Sequence, residues 1–209
     1  MPVPFQATAP DADFDPPKGA AARTRALMVA TASDMMRRGL SPSVSEVAEA
    51  AGVSRSTAYR YFPTLADMLR AVVAEALGPI LSWDDPAATG EARLASLYGK
   101  TFPRLAEHEA TFRAAIRQSL EPSADTPGDK TLGRGHRRSL LSRAVIDSGL
   151  SPDQSARLVQ ALSLTFGIEA MIVLKDICGL DDQQAEEVAL WAARALLQAA
   201  VREAEEQSG

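Results

Sequence analysis

The residues with the clearest chemistry lie in the run SVSEVAEAAGVSRSTAYRYFP, from Ser43 to Pro63. Its second half gathers Ser54, Arg55, Ser56, Thr57, Tyr59, Arg60 and Tyr61 into one short polar segment. Arginine forks onto the O6 and N7 of guanine, and short hydroxyl side chains let a helix backbone approach bases and phosphates. A tyrosine hydroxyl donates to a phosphate oxygen. This set suits reading duplex DNA. For catalysis the chain offers little: no nucleophile elbow, phosphate loop or paired catalytic motif occurs, so an enzyme is not expected. Two histidines and one cysteine, Cys178, leave little for a zinc site or a Cys/His pair. His108 stands in Glu107-His108-Glu109, but neither histidine has a glutamate three residues earlier, where Leu105 and Gly133 stand, so a di-iron bundle is not expected. No metal and no cofactor are anticipated. In the second half, Glu169 interrupts the otherwise apolar run LVQALSLTFGIEAMIVLKDI, residues 158–177. A carboxylate in such a run needs a partner or a shifted pKa. Arg134, Arg137, Arg138 and Arg143 are the candidate partners, in a structural ion pair or an effector site. Phe102, Phe112, Ile116, Phe166 and Met171, with Arg138 and Glu169 nearby, are candidate lining residues of an apolar effector cavity, or else ordinary core.

Helices must position these side chains. Leu27, Met28, Thr31 and Met35 form one helical stripe that Gly39 stops. Ser43 and Glu46 form an S-x-x-E capping box, and Val44, Val47, Ala48 and Ala51 follow at helical spacing up to Gly52. Ser54 caps a second short helix over Arg55 to Tyr61, closed by Phe62-Pro63. Two short helices joined by a tight Ala-Gly-Val turn form a helix-turn-helix, whose second helix enters the major groove. Thr64 and Asp67 cap a longer helix with Leu65, Met68, Leu69, Val72 and Ala76 on its apolar face, ended by Gly78-Pro79. Further on, Trp83 to Pro86 and Gly90 read as a loop. Leu94, Leu97, Tyr98, Thr101, Phe102 and Leu105 make a stripe that Pro103 should kink or break, and Phe112, Ala115, Ile116 and Leu120 make the next. Residues 122–129 form a polar loop, and a helix resumes from Arg134 to Ser148. Ser151-Pro152 starts another, expected to run unbroken to Cys178 before Gly179. Asp181 caps the last helix, which reaches about Ala204. No period-2 strand pattern is found, so the fold class is all-α.

The string V-x-E-V-A-x-A-A-G-V-S-R-S-T-A-Y-R-Y-F-P from Val44 to Pro63 resembles the TetR family of bacterial transcriptional regulators, and the likeness extends over roughly Arg25 to Val72. The resemblance implies an N-terminal three-helix helix-turn-helix head, a linking fourth helix, and a C-terminal helical ligand-binding and dimerisation body. It implies that Ser43 caps the second helix and meets a phosphate, that Thr57 faces bases beside Arg55 and Ser56, that Tyr59 contacts backbone or base, and that Tyr61 meets a phosphate. Ser43, Ser45, Ser54, Arg55, Ser56, Thr57, Tyr59, Arg60 and Tyr61 form the expected DNA-binding set. Two departures stand out: Leu65 replaces the family's usual lysine, and Ala58 is smaller than the usual residue.

The chain has 209 residues with a formal charge of −5, 38 alanines, 22 leucines and 5% aromatics, a composition that favours helix packed on helix. The acidity is uneven. Residues 17–72 carry eight basic and four acidic side chains, a balance of +4, which leaves −9 elsewhere. A basic head on an acidic body orients approach to a polyanion. One cysteine excludes an internal disulfide and points to the cytoplasm. The uncharged stretch Leu158 to Ile168 has 11 residues, too short for a membrane span of roughly 20 residues. Residues 1–17, with five prolines and three aspartates, read as a disordered tail, 18–78 as the DNA-binding domain with its linking helix, and 79–209 as the effector-binding and dimerisation domain. Leu162, Ala185, Ala189, Ala192, Leu196 and Ala199 are the expected dimer contacts, since the last two helices can pair as a four-helix bundle. The function expected is a ligand-responsive repressor. As a homodimer it would bind a palindromic operator in double-stranded DNA and be released by a small apolar or amphipathic effector. The alternative is a DNA-binding protein on the same fold, controlled by a protein partner or organising DNA without an effector.

Overall fold

A computed structural model describes residues 19–86, 89–120 and 134–208, and every regular element among them is helical. The expectations for residues 1–17 and for the loop at 122–129 lie outside the described residues.

The first four helices form the head. Helix α1 (Ala20–Arg37) buries Met28, Val29, Ala32 and Met36, so the stripe is turned from the expected one and Leu27 faces solvent. Ser43 and Glu46 close the capping box that starts α2 (Val44–Ala50), and Ser54 caps α3 (Arg55–Tyr61) by accepting from the Thr57 N–H. Between them Gly52 takes φ +66°, a left-handed conformation that suits glycine and permits the tight turn. Thr64 and Asp67 cap α4 (Leu65–Leu81). Met28, Met36, Val44, Val47, Ala58, Phe62, Met68 and Val72 meet in one apolar cluster that locks α1–α4 together.

The body begins with α5 (Gly90–Glu107) and α6 (Glu109–Leu120). Neither proline ends its helix: α4 runs through Pro79 and α5 through Pro103. Both rings are exposed, as are Glu75 and Gly99 four residues before them, so the carbonyls that lose a helical donor face water. Helix α7 (Arg134–Ala144) stops four residues short of Ser148, because buried Arg93 donates to the Ala144 and Ile146 carbonyls and closes its C-terminus.

The expected single helix from Pro152 to Cys178 is three pieces: α8 (Pro152–Leu162), α9 (Ile168–Ile172) and a π-helical turn (Val173–Ile177). Gly167 at φ +108° makes the break, and the Arg137 guanidinium lies against it and donates to the Ser163 carbonyl. Helix α10 (Asp182–Ser208), capped by Asp181, closes the body against α5 and α8. Trp83, expected in a loop, is buried in the body core with Leu94, Leu97, Tyr98, Phe102, Leu141, Leu158, Leu162, Phe166 and Leu197. A third cluster (Val73, Ala76, Leu105, Phe112, Ala115, Ile168, Met171) joins α4 to α5, α6 and α9.

Candidate nucleic-acid interface

The inward residues of α2 and α3 determine what their outward faces present. Val44, Val47 and Ala48 anchor α2, while Ala58 within α3 and Phe62 just after it anchor the second helix. Ala58 has no exposed surface and packs into the apolar cluster that α1, α2 and α4 share. With that register, Ser54, Arg55, Ser56, Tyr59 and Arg60 are exposed, and Thr57 and Tyr61 are half-buried. Ser43 is exposed at the N-cap of α2 and Ser45, the helix's second residue, is half-buried.

Local hydrogen bonds order this surface. Ser54 Oγ donates to Thr57 Oγ1 at 2.9 Å and lies 3.2 Å from Ser56 Oγ. Ser45 Oγ and Tyr59 Oη are 3.2 Å apart across the turn. The Arg60 guanidinium sits 5.3 Å from the Tyr61 ring centre, and Arg25 of α1 lies 5.3 Å from the Phe62 ring centre, stacked cation-on-ring arrangements. Hydrogen bonding to Ser43, first from its backbone N–H and then from its side chain, holds the Glu46 carboxyl below its ordinary value, while the Ser43 hydroxyl accepts from the Glu46 N–H. The structure thus brings all nine expected residues onto two adjacent helices. Arg25 was not singled out for this surface; its signal, a basic residue in the first helix, was present.

Among the described residues, the expected apolar lining residues of the effector cavity divide between two clusters. Phe102 and Phe166 pack on Tyr98, with ring centres 5.6 Å and 5.1 Å away, inside the body core. Phe112, Ile116 and Met171 belong to the third cluster instead. Glu169 is exposed and pairs with Arg137, so the expected buried carboxylate is a surface ion pair; Arg138 is also exposed. Glu169 follows the break at Gly167 and lies on the exposed side of α9, between buried Ile168 and Ala170. One open groove of about 590 Å³ lies instead among Thr89, Glu91, Asp147, Gln198 and Arg202. Among the described residues, the buried Thr101 and Thr111 hydroxyls and both ring nitrogens of His108, the residue between α5 and α6, make no hydrogen bond, although His108 Nε2 lies 3.7 Å from a Glu107 carboxylate oxygen. Burial holds the His108 pKa below its ordinary value.

The expected dimer contacts separate by depth. Leu162, Ala185 and Ala189 are buried in the chain's own core, so they cannot meet a partner; Ala192, Leu196 and Ala199 are half-buried. The small residues of α10 are small because α5 and α8 press against them. What faces outward is large: Leu164 (80% exposed), Ile177 (78%) and Trp191 (71%), with Val173 and Val188. No described helix is long and apolar enough to cross a membrane, and no cluster of three metal-ligating side chains occurs among the described residues.

The model of the family described as bacterial regulatory proteins, tetR family, matches residues 27–72, which span most of α1, all of α2 and α3, and the first half of α4. Among solved structures, a TetR transcriptional regulator from Rhodococcus sp. RHA1 is similar over 86% of this chain and 97% of its own, with a TM-score of 0.65 and 17% identity. A tetR-family transcriptional regulator from Streptomyces coelicolor is similar over 88% of this chain and 89% of its own, with a TM-score of 0.66 and 21% identity. At these identities the likeness is one of fold. Among curated protein sequences, none matches.

Proposed function

We propose that the chain is a DNA-binding transcriptional regulator of the TetR family, a repressor that binds a pseudo-palindromic operator as a homodimer. The observation that carries the reading is the outward face of α3, which presents Arg55, Ser56, Thr57, Tyr59 and Arg60 from a helix anchored on its other side by Ala58. Two such helices in a two-fold dimer enter successive major grooves about 34–36 Å apart. Residues 18–78 act as the DNA-binding unit and the helices after them as the regulatory and dimerising unit.

Selection of duplexes from a random pool with the wild-type protein tests this. The expected product is a site with two inverted halves. Arg55→Ala should weaken binding to it by about 1–3 kcal/mol and relax preference at one base position per half. Undiminished affinity and unchanged base preference would remove α3 as the reading helix.

Release by a small effector is the regulatory reading, and the buried Thr101, His108 and Thr111 side chains, which make no hydrogen bond, support it. Unpaired buried polar groups are costly, and a ligand that supplies partners would satisfy them. They flank the third cluster, which ties α4 to the body, so a ligand there would act on the helix that follows the reading head. A ligand releases DNA only through its differential affinity for the two states, typically about 1–3 kcal/mol. Calorimetry of a screened amphipathic ligand with and without operator should give different affinities; equal ones would favour control by a protein partner.

A further inference from the structure

Two hydroxyls face each other across the helix-turn-helix as a hydrogen-bonded pair. Ser45 is the second residue of α2, and Tyr59 is the fifth of α3; their oxygens lie 3.2 Å apart. The pairing is imposed from the cores: Val44 and Val47 turn inward and leave Ser45 at the seam, while Ala58 and Phe62 turn inward and leave Tyr59 outside, 46% exposed.

We propose that Ser45 is a positioning residue for DNA binding: its hydroxyl donates to the Tyr59 oxygen, fixes the phenol ring, and leaves the phenolic hydrogen to donate to a DNA phosphate oxygen. This rests on the reading of α3 as the DNA-facing helix. A serine within a helix usually gives its proton to the carbonyl four residues back. For Ser45 that residue is Ser41, which precedes the helix, so no intrahelical acceptor exists and Tyr59 is the acceptor at hand. A phenol oxygen carries one hydrogen and accepts on its lone pairs. Once it accepts from Ser45, its hydrogen is free to point away from the protein. Hydrogen bonds in such a chain polarise one another, so the phenol donates more strongly than it would alone. The ring is also ordered before DNA arrives, so binding does not have to restrict it.

The test uses the full-length protein and the best duplex selected by the wild type, read by fluorescence anisotropy. The proteins are S45A, Y59F, the double variant and S45T. S45A should weaken binding about 3- to 10-fold, the range of one net hydrogen bond. Y59F should weaken it at least as much, and the double variant should match Y59F within about twofold because one loss contains the other. S45T keeps the hydroxyl and should restore most of the affinity. The slope of affinity against salt should not change in any of them, because no charge that displaces counterions is lost. Equal melting temperatures before DNA is added separate this from a folding defect. If S45A and Y59F losses multiply in the double variant, Ser45 acts independently and the inference fails, while Tyr59 keeps its place at the interface. If S45T binds as poorly as S45A, the donor is not the hydroxyl and the inference also fails. If Y59F binds like the wild type, the phenol donates to no phosphate and the inference falls with it. The Arg55→Ala measurement then reports separately whether α3 faces DNA at all.

Discussion

At the residue scale, an ion-pair network ties α6 to the π-helical turn across more than sixty residues of sequence within the body. Arg113 of α6 grips the Asp176 carboxylate with two hydrogen bonds of 2.7 Å and reaches Glu109 at 2.7 Å. Lys175, beside Asp176 in the π-helical turn, reaches the same Glu109 at 2.6 Å. Burial opposes ionisation of Glu109, but hydrogen bonds from Lys175 and Arg113 outweigh it and hold the carboxyl below its ordinary value. Without Arg113, Glu109 keeps Lys175 and Asp176 turns to water, so Arg113→Ala should lower the denaturant midpoint only modestly, and less at high salt. His108 poses the opposite case. It is buried with no hydrogen bond at either ring nitrogen, Arg104 and Glu107 beside it on α5 (the Glu107 carboxylate 3.7 Å from Nε2), Arg37 on α1 and Glu75 on α4. Burial lowers its pKa, so the unfolded chain binds its proton more readily than the folded one. Stability is then fully present above the unfolded value, about 6.5, and declines as pH falls from there toward the lower folded value. His108→Gln should flatten that part of the stability profile, measured by melts over the acid side of neutrality. A profile that keeps its wild-type slope would place the responsible group elsewhere.

At the element scale, starts were legible and some stops were not. Ser43 with Glu46, Ser54, Thr64 with Asp67, and Ser151 before Pro152 all cap where their spacing implies, because a cap is satisfied within four residues. Stops depend on what lies alongside. Pro79 and Pro103 are tolerated because their free carbonyl partners face solvent. The break after α8 rests on Gly167, whose φ of +108° few side chains adopt. A β-carbon there would also lie 2.7 Å from the Arg137 guanidinium. The arginine can shift, being the end of a flexible side chain, but the backbone cannot relax as easily. Gly167→Ala should therefore cost about 1–3 kcal/mol in thermal or denaturant unfolding.

At the scale of the whole molecule, depth separates residues that the pattern of small side chains grouped together. Ala185 and Ala189 pack into the chain's own core, whereas Trp191, Val188, Ile177 and Leu164 are left outside. Large exposed apolar side chains on adjoining elements suit pairing with a second copy. Trp191→Arg should yield folded monomers in sedimentation, with helicity retained and operator binding weakened. Ala185→Arg should instead lose the fold itself, since a long charged side chain has no room and no partner there. Folded dimers from both variants would place the pairing surface elsewhere.

The sequence by itself determined the all-α fold, the capped starts of α2, α3, α4 and α8, and the polar composition of α3 between Ser54 and Tyr61. These are local: the hydrogen bonds and side-chain spacings that produce them close within a few residues. Only the tertiary structure decided that Arg93 closes α7, that Glu169 turns outward to Arg137, that Phe102 and Phe112 belong to different clusters, and that Leu162 and Ala185 face inward. Each of these depends on which helix lies beside which, and on the turn made at Gly167. An apolar pattern says that a face is buried; only the packed neighbours determine whether its own chain or a partner buries it.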